Sequence, residues 1–289
     1  MVRTTEWTDG DILYSEDLEK EFGGIIWNKL ISTTNADGTE SMGFQAHTTA
    51  KCTMMDAGAD IWYSDDAGIT WTEKNTDLDP TEVIHKNCKA DREYAVFIEM
   101  SGDNEVVHTA DAGVTCTTKT SCTFGTSIAA LSYPTTGLIV VGGNDAAGTD
   151  HIVYSTDSGA NWTNANTTVD AACVGLDMFS LNIGFAVTSA GKIFKSGATY
   201  DDWTDTTHTV TPLSPCSVAA ISTTECIIAG ISAAFLYIFK YDGSGNAVQK
   251  LLLNRVGESA YQYVMAPVID SNGVIYTGAI YSSNPTYMI

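Results

Sequence analysis

One octapeptide returns along this chain at nearly constant spacing, and that recurrence restricts the possible folds more than any other feature. SDDAGITW at 64–71 is followed by TADAGVTC at 109–116 and STDSGANW at 155–162. Each copy comes after an apolar run, DIWY, EVVH or HIVY. Weaker copies continue in KIFKSGATYDDW, ending at Trp203, and in YIFKYDGSGNAV, ending at Val248. With Ser64, Thr109, Ser155, Ser196 and Tyr241 taken as equivalent, the steps are 45, 46, 41 and 45 residues.

A period of that length matches one four-stranded blade of a β-propeller. Two further β-rich runs precede each copy, as in SIAALSY then GLIVVGG, or CVGLDMF then IGFAVTS, and a short run such as TWTEK or NWTNA follows. Glycine and Asp/Asn clusters separate the runs, and no long stretch carries helical periodicity. An all-β chain is expected, with blades near 41–75, 82–121, 126–166, 172–207 and 217–253. After these, YQYVMAPVI, GVIYTGAI and PTYMI supply three strands without a fourth. GGIIWNKLI at 23–31 has the pattern of a strand with no blade of its own, so it is expected to complete the last blade and cover an open sheet edge. Six blades result; a seventh requires GVIY to be a third strand at a shorter step than the rest. The chain thus divides into an arm, 1–22, and a propeller, 23–289.

Charge narrows the partners. The 289 residues include 14 basic and 35 acidic side chains, a net charge of −21, which repels phosphate backbones and anionic membranes. Nucleic acid is not an expected partner. The acid is uneven: nine such residues in 1–40, 22 in 41–207 and four in 208–289. No apolar run reaches the length of a membrane span, and MVRTTEWTDGD lacks a basic segment followed by an apolar one, so neither membrane insertion nor a secretory signal is expected. Seven cysteines, Cys52, Cys88, Cys116, Cys122, Cys173, Cys216 and Cys226, show no CxxC or Cys/His ligand spacing, so no metal or other cofactor is expected. Most lie in strand patterns and read as buried free thiols. Cys116 and Cys122 are the one pair to test for a disulfide.

The octapeptide fits the pattern S-x-D-x-G-x-T-W and resembles the Asp-box, or bacterial neuraminidase repeat, of sialidase-like β-propellers. Ser64, Asp66, Gly68, Thr70 and Trp71 match every position. Ser155, Asp157, Gly159 and Trp162 match with Asn161 in place of threonine, and Thr109, Asp111, Gly113 and Thr115 match with Cys116 in place of tryptophan. The residue types suit a hairpin turn between a third and a fourth strand: the aspartate accepts from the turn's own N–H groups, glycine takes a positive φ, and the tryptophan packs between sheets. A calcium loop needs more convergent oxygens than one regular aspartate per repeat, and Asp65 has no counterpart in the other copies.

The resemblance also implies what a catalytic member would need. Sialidases hold a substrate carboxylate with three arginines, whereas this chain has only Arg3, Arg92 and Arg255, with Arg3 in the arm. No two carboxylates have a spacing that sets a glycosidase distance. The protein is accordingly expected not to be an enzyme, with an Asp-box glycoside hydrolase, sialidase- or xyloglucanase-like, as the alternative. Gln45, His47, His85, Asn87 and Asp177 are expected on innermost strands, lining the channel as candidate ligand-binding residues. His108 and His151 read as ordinary strand residues.

In the arm, Ser15 suits a helix N-cap, Glu16 and Asp17 suit its first turn, and Leu18 and Phe22 share a face, predicting a short amphipathic helix. Trp7, Gly10, Asp11, Leu13, Asp17 and Leu18 follow a pattern that resembles the opening of phage tail-fibre and other virion structural proteins. That resemblance implies a propeller on a particle surface, attached to other virion proteins through Trp7, Leu13, Leu18 and Phe22, binding a host-surface glycan or protein, and forming a homo-oligomer or part of a larger assembly. A second alternative is a protein-interaction scaffold resembling the photosystem assembly factors, which carry similar repeats.

Overall fold

The computed structural model describes residues 41–46, 52–56, 61–66, 70–75, 84–89, 95–99, 106–109, 115, 117–118, 127–135, 137–144, 150–210, 214–232 and 235–254, and five short pieces between 261 and 288. Every regular element among them is a β-strand. The first sheet contains β1 (Ser41–Ala46), β2 (Cys52–Asp56), β3 (Ile61–Ser64) and β4 (Thr72–Asn75). The second contains β5 (Ile84–Lys89), β6 (Ala95–Glu99), β7 (Val106–Thr109) and β8 (Thr117–Thr118). The third is built from β9 (Ser127–Thr135), β10 (Leu138–Asn144), β11 (Asp150–Ser155) and β12 (Thr163–Thr168). The fourth comprises β13 (Cys173–Met178), β14 (Gly184–Thr188), β15 (Lys192–Ser196) and β16 (Trp203–Thr209). In the fifth are β17 (Ser214–Ala220), β18 (Cys226–Ser232), β19 (Phe235–Tyr241) and β20 (Val248–Asn254).

Within each of these sheets the strands pair antiparallel in chain order, so each repeat folds as a meander. Successive sheets meet through their first strands: β1 lies on β5, β5 on β9, β9 on β13 and β13 on β17. That arrangement turns a linear repeat into blades around a common interior, the architecture of a β-propeller.

Packing between blades explains why the central strands read as apolar runs. Successive strand residues face opposite sides of a sheet, and a blade between two others must bury both sides. On β14, Ala186 joins Val140, Ile152, Phe194 and Trp203 in the core against the third sheet. Its neighbours Phe185 and Val187 join Val218, Ile228 and Phe239 in the core against the fifth. All five residues of β14 are buried. Each large apolar side chain so placed contributes about 1.5–3 kcal/mol relative to exposure. The inner strands also approach closely: a Cβ on Gly175 of β13 would lie 2.9 Å from the backbone of Ser217 on β17. A side chain there would force two blades apart.

The C-terminal strands differ in detail from the sequence reading. YQYVMAPVI, expected as one strand, is divided into β21 (Tyr261–Val264) and β22 (Val268–Ile269). GVIYTGAI likewise divides into β23 (Ile275–Tyr276) and β24 (Gly278–Tyr281), with β25 (Tyr287–Met288) after them. β21, β24 and β25 form a three-stranded sheet, while β22 and β23 pair separately. Pro267, which has no N–H to give a ladder, lies in the sequence between β21 and β22. The expected closing strand 23–31 and the arm helix, with Trp7, Leu13, Leu18 and Phe22, lie outside the described residues.

Candidate functional site

Asp66 and Asp157, the repeat aspartates among the described residues, are engaged within their own turns. In the first copy the Ser64 hydroxyl donates to Asp66 Oδ1 at 2.8 Å. The Thr70 N–H donates to the same oxygen at 2.8 Å, and the Thr70 hydroxyl donates to Asp66 Oδ2 at 2.6 Å. The third copy repeats the pattern with different chemistry at one position. Ser155 Oγ donates to Asp157 Oδ1 at 2.8 Å, and Asn161 supplies its backbone N–H to Oδ1 at 2.8 Å and its side-chain amide to Oδ2 at 2.7 Å. Gly159, at φ 83°, returns its N–H to Ser155 Oγ at 2.8 Å. The Asn161 side-chain amide, then its backbone N–H and the Ser155 hydroxyl, hold the Asp157 carboxyl down at about 2. Such a carboxylate is a satisfied acceptor, ill suited to taking or giving a proton near neutrality.

The other members of the motif are placed less completely. Trp71 and Trp162 are half-buried, Thr109 ends β7 and Thr115 is exposed. Gly68, Asp111 and Gly113 lie outside the described residues.

The channel candidates fall on first strands where described. Gln45 lies on β1 opposite Thr53, and Asn87 lies on β5 opposite Phe97. His85 sits at the register irregularity between Ile84 and Lys86, and His47 is outside the described residues. Asp177, on β13, bridges its neighbours: Oδ1 accepts from Ser132 Oγ of β9 at 3.3 Å, and Oδ2 accepts from the Ala220 N–H of β17 at 2.9 Å. Ser132 Oγ in turn accepts from the Met178 N–H at 3.1 Å. One carboxylate thus ties three consecutive blades together. His108, read from sequence as an ordinary strand residue, is buried with its Nε2 3.4 Å from the Tyr133 hydroxyl and its ring edge-on to the tyrosine at 5.9 Å.

Two features escaped the sequence reading. The run CVGLDMF ends as a strand at Met178, and Phe179 instead opens a loop whose Phe179 and Leu181 are 46% and 50% exposed. Two large apolar side chains spaced by Ser180 and followed by Asn182 are themselves a signal, because a connecting loop is ordinarily polar. The loop is tightly held: the Phe179 and Ser180 N–H groups donate to the Ile183 carbonyl at 2.8 and 3.1 Å, and Ser196 Oγ donates to the Asn182 carbonyl at 2.7 Å. Beside it, a shallow open groove of about 460 Å³ runs between the fourth and fifth sheets, with Ile183, Lys195, Thr204, His208 and Tyr241 among its walls. Among the described residues, no three His, Cys, Asp or Glu side chains cluster as a metal site would.

No protein-family model matches the sequence, and no curated protein matches it. Solved structures resemble it in fold. A structure of YCF48 bound to D1 peptide matches with a TM-score of 0.58 and 13% identity, over 83% of this chain and 75% of that one. A streptogramin B lyase matches with a TM-score of 0.64 and 11% identity, over 86% and 82%. The WD40 β-propeller domain of Doa1 matches with a TM-score of 0.53 and 11% identity, over 87% and 93%. At these identities the likeness shows the β-propeller fold and leaves the activity to the residues of the chain itself.

Proposed function

We propose that this chain is a non-enzymatic protein-interaction propeller that holds a segment of another protein against one face of its ring. The observation carrying the reading is the Phe179–Ile183 loop, which presents two large apolar side chains to solvent from a tightly bonded backbone. Preorganised apolar groups of this kind bind with little ordering cost. The similar fold of YCF48, seen with a bound D1 peptide, supports a peptide segment as the type of partner. The repeat turns are read as Asp-boxes with a structural role, because Asp66 and Asp157 already accept from Ser, Thr or Asn groups of their own turns.

Selection of a displayed random-peptide library on the immobilised protein tests this. Convergence on a shared motif is expected, together with its loss in a Phe179→Ser, Leu181→Ser double variant that retains the wild-type melting curve. Binding to a glycan array without peptide enrichment would favour glycan recognition instead. Release of reducing sugar from a polysaccharide would favour the hydrolase. A second reading places the same ring on a virion surface, held by the arm residues Trp7, Leu13, Leu18 and Phe22, and rests on that arm's sequence pattern alone. Deleting residues 1–22 without loss of assembly would remove it.

A further inference from the structure

We infer, building on the protein-interaction reading, that the groove between the fourth and fifth sheets recognises an acidic peptide segment, its carboxylate meeting Lys195 and an adjoining apolar side chain meeting Phe179 and Leu181. The argument begins with charge. In a chain of net charge −21 a lysine is ordinarily close to carboxylates, as two other lysines of the fourth and fifth sheets are. Lys192 Nζ lies 2.6 Å from Asp170 and 3.2 Å from Asp205, and Lys240 Nζ lies 2.8 Å from Glu225. Lys195, half-buried on β15, has no carboxylate partner among the described residues; its ammonium stands 5.9 Å from the Phe185 ring centroid. Among the described residues the groove wall includes no Asp or Glu, although the Asp202 side chain lies against Gly197 at its end.

A lysine without an ion-pair partner can meet an anion at contact distance, where the pair attraction acts directly while repulsion from more distant carboxylates is screened by salt. The class of anion follows from the donor. One ammonium balances one carboxylate, whereas a phosphate of nearly two charges needs more than the one lysine among the described wall residues. The apolar element is continuous with the groove. Ile183 belongs to both, and Ser196, also in the wall, bonds the loop through the Asn182 carbonyl and receives the Gly184 N–H at 2.6 Å. An extended peptide laid across this junction places alternate side chains on the two features, since neighbouring residues of an extended chain point to opposite sides.

Fluorescence polarisation with the full chain and a labelled peptide of alternating leucine and glutamate tests the assignment. Binding is expected for this peptide and not for its leucine–glutamine counterpart. Lys195→Gln and Leu181→Ser should each weaken binding by about tenfold or more, as loss of a charged hydrogen bond or an anchoring side chain does. Lys240→Gln, the same charge change outside the groove, should leave it unchanged. Equal binding of the glutamine peptide, equal loss in Lys240→Gln, or no loss in Lys195→Gln would overturn the inference. Absence of binding by the wild type would overturn it too, and the library selection then decides separately whether the interaction reading stands: a motif lacking acidic residues leaves that reading intact, and no enrichment removes both.

Discussion

The turn at Ser155–Trp162 and the turn at Ser196–Trp203 occupy the same position in adjacent blades, yet their serines are used in opposite ways. The first closes on itself, with Asp157 accepting from Ser155 and Asn161 and Gly159 returning its N–H to Ser155. The second has no aspartate at the corresponding place. Its serine turns outward, donating to the Asn182 carbonyl and accepting from the Gly184 N–H of the neighbouring hairpin. Its tryptophan is 3% exposed and donates its indole N–H to the Tyr200 carbonyl at 2.7 Å, whereas Trp162 is half-buried. A repeat can therefore lose its motif and keep its shape, because other bonds within the turn, such as the Gly197 N–H to the Asp202 backbone carbonyl at 2.6 Å, and contacts to a neighbouring segment replace those lost. The replacement also couples the second turn to the loop carrying Phe179 and Leu181.

The contrast can be broken most severely at the tryptophans. Trp203→Ala is expected to cost about 3–5 kcal/mol in urea unfolding, the range for emptying a large buried aromatic site, and Trp162→Ala clearly less. Equal losses would show that depth does not separate the two turns.

Next in size is Ser196→Ala. It leaves the buried Gly184 N–H without its acceptor, at an expected cost of about 1–3 kcal/mol. Because the same hydroxyl holds the Asn182 carbonyl, faster amide exchange at Phe179 and Ile183 should accompany the loss. In Ser155→Ala, faster exchange should stay within 157–161.

Acid separates the turns without mutation. The Asp157 carboxyl titrates at about 2 in the folded chain, below its ordinary 3.8. A depressed acid stabilises the folded state above its unfolded pKa and ceases to do so as pH falls through the folded one. Exchange protection at Asn161, measured relative to intrinsic rates, should therefore decline between about pH 4 and pH 2. Gly197, whose N–H bonds the Asp202 carbonyl, should show no such decline, and Asp157→Asn should remove the pH dependence at Asn161.

The smallest effect is expected for Asn161→Thr, which reproduces the arrangement of Thr70. The Asn161 amide and the Thr70 hydroxyl reach their aspartates at 2.7 and 2.6 Å, so stability should change by less than about 0.5 kcal/mol.

What was legible in the sequence follows the range of the interactions. Ser64, Asp66 and Thr70 lie within seven residues, and their residue types alone imply who donates and who accepts. The strand runs were legible for a similar reason: burial on both faces leaves a nearly continuous apolar run such as GFAV, whatever its partners. Asp177 was legible only as a polar residue on an inner strand. Its partners Ser132 and Ala220 stand 45 and 43 positions away, one blade on either side. Phe179 was absorbed into a strand because an apolar residue after CVGLDM continues the pattern, and only the hairpin's closing bonds to Ile183 put it in the loop.

By itself, then, the sequence determined the all-β class, the period, the order of strands within each blade and the turn chemistry, since these depend on contacts within one repeat. Tertiary structure alone decided that Asp177 joins three blades, that Ser196 serves a neighbouring loop, and that Lys195 stands in a groove wall with no carboxylate partner among the described residues. Each depends on which side chains two blades bring together, and close packing between sheets selects those pairs by geometry rather than by nearness along the chain.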